Sequence, residues 1–404
     1  MESKKGILSR GFLTVVVIYI LACTAWQFLG TLLIAYGTEE LGLSTVLVAS
    51  ISGIIATSAL IMRPFSGLIM DKFNRKYLYA LSLLVLGISI AGFALSSSFY
   101  QLYVFQIIRG IAWALLCALG NVMVGEMVDK KDIHTAISIY YMGQTIANVF
   151  GATIALSIVN TSGYHTSFYV GAACAVAASA MALSLPYSRK EAGSKTGLLE
   201  GIKTIRLGNM FCMAAVPMCM VNFFFQIFQT ALGNSFVVAY CRSELGLANV
   251  GIFAAVSSGI MWVSRPLGGK LADKFGSRWI FAASCIGYGV SCLLLSRAIG
   301  LASVMAASVI YGVCAGTAMP IIQSTVLRTV SEEKKGVATS TRMIGGDVGL
   351  MAGNMLMGTV ASLNGDSYRM SYMIMVPLAA ATLVFILVYF ALYNKKHEGN
   401  PLGW

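Results

Sequence analysis

The chain has 404 residues, of which 57% are hydrophobic and 11% are charged. Because soluble globular proteins carry about 25% charged residues, this composition excludes an ordinary soluble domain. The net charge of +12 does not indicate a nucleic-acid-binding protein, since the basic residues are spread along the chain and do not cluster with aromatic residues. We therefore expect most of the chain to lie in lipid, and we expect no nucleic-acid partner.

Apolar segments follow one another along the chain, and each has about the 20 residues needed to cross the hydrocarbon core of a bilayer. The first segment is too long for the apolar part of a signal peptide, and no small-residue cleavage site closes it, so we interpret it as a retained helix. The pattern predicts an all-α membrane protein with twelve transmembrane helices. Their predicted spans are residues 12–36, 44–68, 77–96, 99–124, 135–159, 164–186, 208–236, 246–271, 279–296, 300–327, 337–361 and 370–393.

The basic residues are distributed unequally between alternate loops. If the N-terminus is cytoplasmic, three of the 28 Lys and Arg residues lie in external loops, at Arg242, Arg297 and Arg369. Two more, Arg109 and Arg342, lie within predicted helices, and the others lie in cytoplasmic loops, tails or helix ends. Cytoplasmic loops of membrane proteins carry an excess of Lys and Arg. We therefore predict a multi-pass protein of the cell (inner) membrane with both termini in the cytoplasm.

A charged segment interrupts the apolar pattern at residues 187–206 and predicts a cytoplasmic linker between a six-helix bundle at 1–186 and another at 207–404. The two parts are related, because a shift of 202 residues places RPFSGLIMDKFNRK (63–76) on RPLGGKLADKFGSR (265–278) with six identities. Since six helices are an even number, both halves have the same orientation in the membrane, which predicts a parallel repeat. The same shift pairs Gly110 with Gly312, Gly143 with Gly345 and Gly151 with Gly353.

The repeated segment carries a motif of glycine, acidic and basic residues. This motif resembles the signature between helices 2 and 3 of the major facilitator superfamily, with Asn74 in place of a glycine and Ser277 in place of a basic residue. The resemblance implies two six-helix bundles that move a solute by alternating access. The matching residues are Gly67, Asp71, Lys72, Asn74, Arg75 and Lys76 in the first copy and Gly269, Asp273, Lys274, Gly276 and Arg278 in the second.

The resemblance also implies a gating role for residues at the cytoplasmic helix ends. In the family, the motif acid at the end of helix 2 contacts the start of helix 11. This implies that Asp71 binds near Gly336, where the positive end of the helix dipole stabilises a carboxylate. The family further implies that Arg75 pairs with Glu126. The alternative is that these residues are solvated loop charges. The implied gating residues are Gly67, Asp71, Arg75, Glu126, Gly269 and Asp273.

Charged residues inside membrane helices are costly, so each one is a functional hypothesis. Arg109 lies near the centre of helix 4 and is the candidate to bind a substrate carboxylate or a cavity acid. Asp347, near the centre of helix 11, is the candidate for proton coupling, or else it hydrogen-bonds across a tight helix interface. Arg342 lies nearer the cytoplasmic end of helix 11, where its long side chain could snorkel to the membrane interface.

In the family, helices 1, 4, 7 and 10 line a central cavity. By resemblance, polar and aromatic residues of these helices are candidate substrate ligands. Asn222, Gln226 and Gln229 are spaced by four and three residues and therefore share one face of helix 7. The alternative is that such side chains hydrogen-bond between helices. The candidates are Trp26, Gln27, Gln106, Arg109, Trp113, Asn222, Gln226, Gln229, Tyr311 and Gln323.

The sequence lacks motifs for other classes of function. There is no G-x-x-x-x-G-K-[ST] segment, so ATP is not the direct energy source. His134, His165 and His397 lie far apart, and the nine cysteines are scattered singly without metal-binding spacing. We therefore expect no enzyme, no metal and no cofactor. The expected protein is a monomer that contacts membrane lipid, a small-molecule substrate and protons.

Family signatures disagree about the direction of transport. Helix 4 has Gln106 and Arg109 where efflux members place an arginine and a glutamine, and helix 5 has Ala147 and Asn148 in place of the Gly-Pro of antiporters. In contrast, GGDVGLMAG (345–353) in helix 11 resembles drug- and metabolite-efflux branches. We predict a secondary active transporter for a small organic solute, with proton-coupled export as the first hypothesis. Uptake or exchange of an organic anion (a carboxylate) held by Arg109 is the alternative.

Overall fold

The computed structural model describes residues 9–43, 45–185, 211–247, 251–365 and 367–396, and within these ranges it contains helices and turns but no strand. The described helices confirm the predicted all-α fold of twelve transmembrane helices. The predicted linker at 187–206 and His397 lie outside the described residues.

Among the described residues, the first half of the sequence forms six α-helices. Ile133–Leu183 is divided at Gly163, whose backbone (φ 80°, ψ 172°) is one that glycine adopts far more easily than other residues. This break separates two of the predicted spans. The helices are α1 (Arg10–Ala35), α2 (Thr45–Lys72), α3 (Arg75–Leu95), α4 (Phe99–Met127), α5 (133–162) and α6 (164–183).

Among the described residues, the second half forms seven α-helices where six spans were predicted. The predicted span 208–236 contains the helix Val216–Ala231 and ends in the first turn of another, Asn234–Ser243, with Gly233 between them in an extended conformation. A Cβ at Gly233 would lie 2.8 Å from the Gln229 carbonyl oxygen, so the tight break favours glycine. Hydropathy averaged over a span does not show this break, because one apolar candidate span, Met213–Val238, runs across it. The helices are α7 (Val216–Ala231), α8 (Asn234–Ser243), α9 (Gly251–Phe275), α10 (Ser277–Ser296), α11 (Leu301–Thr329), α12 (Lys335–Leu363) and α13 (Tyr368–Lys396).

Most of these helices are long and apolar enough to cross a membrane. Nine candidate spans occur among the described residues, and one of them, Lys130–Leu183, contains both α5 and α6. The helices α9 and α12 are not among the candidates, because they are rich in glycine and contain charged residues such as Arg265 and Arg342. Their assignment as transmembrane helices rests on the repeat and on the fold.

Contacts divide the described chain into two units. Unit 1 contains the described parts of Met1–Asp129 and Tyr140–Cys212 together with Val330–Thr341. Unit 2 contains Lys130–Ile139 and the described parts of Met213–Thr329 and Arg342–Trp404. Each unit therefore includes a short segment from the other half of the sequence, namely the start of α12 in unit 1 and the start of α5 in unit 2.

The same close helix packing occurs in both units. In unit 1, α2 packs on α4, and a Cβ at Gly110 would lie 2.7 Å from the Ile55 carbonyl oxygen. In unit 2, α9 packs on α11, and a Cβ at Gly312 would lie 2.7 Å from the Ser257 carbonyl oxygen. Small residues let membrane helices approach closely. Gly110 and Gly312, which are equivalent in the repeat, therefore permit the same close helix contact in the two units.

Candidate functional site

The first group of predicted gating residues lies at the end of α2, within unit 1. Asp71 accepts hydrogen bonds from the backbone N–H groups of Gly336 (3.0 Å to Oδ1) and Val337 (3.0 Å to Oδ2). These N–H groups lie in the first turn of α12, where the helix itself provides no acceptors. Asp71 therefore supplies the acceptors and the negative charge that a helix N-terminus favours. Gly67 permits this approach, because a Cβ there would lie 2.7 Å from Val337 Cα.

A buried arginine links Asp71 to a second acid. Arg75, the first residue of α3, donates from Nη2 to Asp71 Oδ1 at 3.1 Å, from Nε to the Met70 carbonyl oxygen at 3.1 Å, and from Nη1 to Glu126 Oε1. The Arg75 side chain is fully buried, and each carboxylate is 14% exposed. One arginine therefore forms ion pairs with two carboxylates in a site that is largely shielded from solvent. We name Gly67, Asp71, Arg75, Glu126, Gly336 and Val337 the unit 1 latch.

The second group of predicted gating residues lies at the end of α9, within unit 2. Asp273 accepts hydrogen bonds from the backbone N–H groups of His134 (3.3 Å) and Thr135 (3.0 Å) in the first turn of α5, and from the Thr135 hydroxyl (2.7 Å). A Cβ at Gly269 would lie 2.8 Å from Thr135 Cα. The nearby cation is Arg328, whose Nη1 is 4.0 Å from Asp273 Oδ1. We name these five residues the unit 2 latch.

The sequence interpretation missed His134, Thr135 and Arg328. The signal for them is the 202-residue shift itself, which maps Thr135 onto Val337 and Arg328 onto Glu126. The residue near the end of α4 is thus the acid Glu126, and its equivalent near the end of α11 is the cation Arg328. Extending the repeat beyond the motif would have identified these three residues.

Part of the predicted substrate site lies around Arg109 of α4, within unit 1. Arg109 Nη2 donates to the Trp26 carbonyl oxygen at 2.6 Å, and Nη1 donates to Gln106 Oε1 at 3.4 Å. The guanidinium carbon is 3.8 Å from the centre of the Trp26 ring, and this ring stacks on Trp113 at 4.1 Å. A cation over the face of an indole ring is attracted to it. Three aromatic or polar partners therefore hold the guanidinium in place.

Gln27 lies beside the same arginine. Both side chains lie next to Gly30. A Cβ built on this glycine would lie 3.7 Å from Gln27 Oε1 and 3.9 Å from Arg109 Nη2. We name Trp26, Gln27, Gln106, Arg109 and Trp113 the Arg109 cluster. Five of the ten predicted substrate ligands belong to it.

Arg109 is buried without a negative partner. Its side chain is 2% exposed, and its Nε has no hydrogen-bond partner. Within the described ranges, no carboxylate lies at ion-pair distance from this guanidinium. The groups that contact it are a carbonyl oxygen, an amide oxygen and an aromatic ring, none of which carries a full negative charge.

The other five candidates lie on α7 and α11, within unit 2. Gln226 and Gln229 are half-buried, Gln323 is fully buried, and Tyr311 stacks on Phe253 with ring centres 6.0 Å apart. The fifth, Asn222, contacts α12 as described next. Their role as substrate ligands stays a prediction.

Asn222 binds a second buried arginine. Its Nδ2 donates to the Arg342 carbonyl oxygen at 3.0 Å, and its Oδ1 accepts from Arg342 Nη1 at 3.3 Å. The Arg342 residue is 5% exposed, so the suggestion that its side chain snorkels to the interface is wrong. The reason is the tight packing of α7 on α12 beside this arginine, since a Cβ at Gly346 would lie 2.5 Å from Asn222 Nδ2.

Asp347 lies near the middle of α12 and is half-buried. It follows Gly345 and Gly346, which pack against α7. Both predictions for this residue, proton coupling and an interhelical hydrogen bond, stay open. Over the part of the chain that the structure describes, no group of three His, Cys, Asp or Glu residues could hold a metal ion.

Known proteins resemble this chain over most of its length. The family described as the Major Facilitator Superfamily matches residues 15–261 and 218–403. The cis,cis-muconate transport protein of Acinetobacter baylyi is 22% identical over 382 residues, which cover 90% of this chain and 88% of that protein. The multidrug resistance protein MdtG of Dickeya zeae is 23% identical over 375 residues, which cover 90% of this chain and 87% of that protein.

Solved structures show the same fold. The human organic anion transporter TETRAN superimposes with a TM-score of 0.78 at 13% identity, covering 93% of this chain and 99% of that one. The E. coli fucose:proton symporter FucP superimposes with a TM-score of 0.74 at 16% identity, covering 93% of this chain and 98% of that one. At these identities the likeness concerns the fold alone.

Proposed function

Because the chain belongs to the major facilitator superfamily, a family of multi-pass membrane transporters, we propose that it is a secondary carrier for a small organic anion. In this proposal the transported group is a carboxylate, and Arg109 binds it. The observation that carries the proposal is the burial of Arg109 without a carboxylate partner among the described residues.

The physical reason is the cost of an uncompensated cation in a membrane helix. An arginine at a helix centre costs about 2.5 to 3.5 kcal/mol on insertion scales, and its guanidinium stays protonated in proteins. The Trp26 carbonyl oxygen, Gln106 and the Trp26 ring offset part of this cost through their dipoles. A carboxylate supplies the missing charge and can form two parallel hydrogen bonds to a guanidinium.

A curated relative supports the same substrate class. The Acinetobacter baylyi protein is named for the transport of cis,cis-muconate, which is a carboxylate, and the match covers most of both chains. The Arg109 cluster also contains the two stacked indole rings of Trp26 and Trp113. Flat apolar surface beside a cation suits an organic acid with an unsaturated or aromatic body.

The test is transport of a panel of labelled organic acids and their neutral amides into proteoliposomes. We expect acids to be transported and amides to be poor substrates. Arg109→Gln removes charge-assisted hydrogen bonds worth about 1.5 to 3 kcal/mol, which raises the half-saturating acid concentration about ten- to a hundredfold. Arg297→Gln, at an exposed position after α10, removes the same charge elsewhere and serves as the control.

Two results would contradict the proposal. One is native transport of every acid by Arg109→Gln. The other is equal transport of acids and amides by the unchanged protein. Arg109→Lys sharpens the test, because it keeps the charge but lacks the planar fork that binds a carboxylate through two hydrogen bonds.

Proton-coupled export is the second candidate function. The relative MdtG is named for multidrug resistance, and Asp347 places an ionisable carboxylate in the middle of α12. Asn at this position keeps the shape but does not titrate. We expect Asp347→Asn to lose accumulation driven by a pH gradient and to keep exchange of substrate down its own gradient. Accumulation with native pH dependence would contradict the coupling role, and the sign of the accumulation in oriented vesicles gives the direction.

We place both latches at the cytoplasmic membrane face of an inner-membrane carrier with cytoplasmic termini, as the distribution of basic residues favours. We also retain bundles at 1–186 and 207–404. Among the described residues, the contact units depart from them at 130–139, 211–212 and 330–341. The first and last of these segments contain the helix starts that the latch acids bind. In this proposal each latch ties a helix end of one bundle to a helix start of the other, and it opens during transport.

A further inference from the structure

An exposed basic and aromatic surface lies where α9 ends and α10 begins, within unit 2. Lys270 and Lys274 are exposed, and so are Phe275 (51%) and Trp279 (59%). Arg278 is half-buried in the first turn of α10. We name these five residues the α9 patch.

The α9 patch continues an exposed apolar stripe of its helix. Val263 and Leu267 are exposed on α9, and Lys270 and Lys274 follow at spacings of three and four residues. Residues at these spacings share one face of a helix. Because an exposed apolar face of a membrane helix contacts lipid, cations at the end of that face lie at the level of the headgroups.

The cations of the patch are not used for ion pairs within the described protein. Neither lysine nor Arg278 has a carboxylate partner there, and Arg278 Nε is buried without a hydrogen-bond partner. Lys274 Nζ lies 5.1 Å from the centre of the Phe275 ring, and the Arg278 guanidinium carbon lies 5.2 Å from the Trp279 ring. The adjacent acid, Asp273, points to the first turn of α5 instead.

We propose that the α9 patch binds the headgroup of an anionic phospholipid. Anionic lipids attract Lys and Arg beside a membrane helix, and tryptophan prefers the headgroup level. A lipid phosphate fits better than a soluble anion, because the cations end a stripe that already contacts acyl chains. The aromatic rings of Phe275 and Trp279 cover the glycerol and upper acyl region beside these cations.

The first repeat has a less basic surface at the equivalent place. The position of Lys270 is occupied by Leu68, which is 6% exposed. The position of Lys274 is occupied by Lys72, which is half-buried and has contacts of its own. Lys76 and the exposed Tyr77 occupy the positions of Arg278 and Trp279, so the second repeat differs by its two exposed lysines.

The test is lipid retention by the purified full-length protein, measured by native mass spectrometry during titration with phosphatidylglycerol or phosphatidylcholine. We expect preferential retention of phosphatidylglycerol. Lys270→Gln/Lys274→Gln should weaken it about fivefold for each cation removed. Lys270→Arg/Lys274→Arg should retain the lipid. Lys130→Gln/Lys131→Gln removes two exposed lysines from the turn before α5 and should have little effect.

Three results would overturn the proposal. They are equal losses in the two Gln double variants, equal retention of the two lipids by the unchanged protein, and displacement of phosphatidylglycerol by inorganic phosphate at matched concentration. Lipid retention is measured without transport, so the result does not depend on the function proposed for Arg109. A variant that fails to fold is recognised by its melting curve, and the single variants Lys270→Gln and Lys274→Gln then replace it.

Discussion

The two latches place the same acid at the same structural position but neutralise it differently. In unit 1, Asp71 binds the start of α12, and the fully buried Arg75 joins it to Glu126. In unit 2, Asp273 binds the start of α5 and gains the Thr135 hydroxyl, while its cation, Arg328, is 23% exposed and 4.0 Å away.

The comparison separates what both copies share from what each copy has changed. Both share a carboxylate on a helix N-terminus and a glycine one turn before it, so these two features are the common requirement. The cation differs in place, burial and number of partners. Beyond the shared bonds to the helix start, the unit 1 latch has a buried ion network, and the unit 2 latch has a hydrogen bond from the Thr135 hydroxyl.

The largest expected effect is that of Arg75→Gln. Removing one partner of a buried ion network costs about 3 to 5 kcal/mol, because it leaves buried carboxylates without compensation. We expect a much lower free energy of unfolding for the purified protein, measured by chemical denaturation. Arg75→Gln/Glu126→Gln should recover part of the loss. Native stability of Arg75→Gln would show that the ion network contributes nothing.

The next effect concerns the close approach that glycine allows. Gly67→Ala and Gly269→Ala each place a Cβ within 2.8 Å of a backbone Cα, and such overpacking typically costs about 1 to 3 kcal/mol. Gly53→Ala and Gly259→Ala are matched controls on the same two helices, because a Cβ at either position meets nothing within 4 Å. Equal melting temperatures of the test and control variants would mean that the helix ends move apart without loss of stability.

A smaller effect is expected for the latch acids. Asp71→Asn and Asp273→Asn keep an acceptor oxygen but remove the charge at a partly buried helix N-terminus, which is worth up to about 2 kcal/mol. If the helix start is the shared requirement, both variants should express well and lose transport rate to a similar degree. A loss confined to Asp71→Asn would assign the effect to the ion network instead.

The smallest effect is expected for Arg328→Gln. A pair that is partly exposed and 4.0 Å apart contributes about 0 to 1 kcal/mol. We therefore expect nearly native unfolding, and the contrast with Arg75→Gln measures the difference between the two latches. A loss as large as that of Arg75→Gln would show that exposure is a poor guide to the strength of these pairs.

Much of the fold was predictable because apolar length and charge distribution report directly on membrane crossing. The break at Gly233 was not, since it depends on local backbone packing within a continuous apolar segment. Partners of Asp71 were implied by family resemblance. The partners of Asp273 were missed, because they lie more than 130 residues away along the chain and the repeat was not extended beyond its motif.

The Arg109 cluster was only partly predictable. Spacing along α4 places Gln106 and Trp113 next to Arg109, because residues three and four apart are neighbours on a helix. The contact with Trp26 joins residues 83 positions apart and depends on how α1 lies against α4. Burial of Arg342 likewise depends on α7, which no local pattern in α12 reveals.

The most direct test of the proposed carrier is binding of a carboxylate at Arg109, measured by tryptophan fluorescence. Trp26 lies 3.8 Å from the Arg109 guanidinium carbon and stacks on Trp113, so an anion bound there changes the surroundings of both rings. We predict saturable fluorescence changes with organic acids, no change with the matching amides, and loss of the acid response in Arg109→Gln. Equal responses to acids and amides, or a native acid response in Arg109→Gln, would contradict the account.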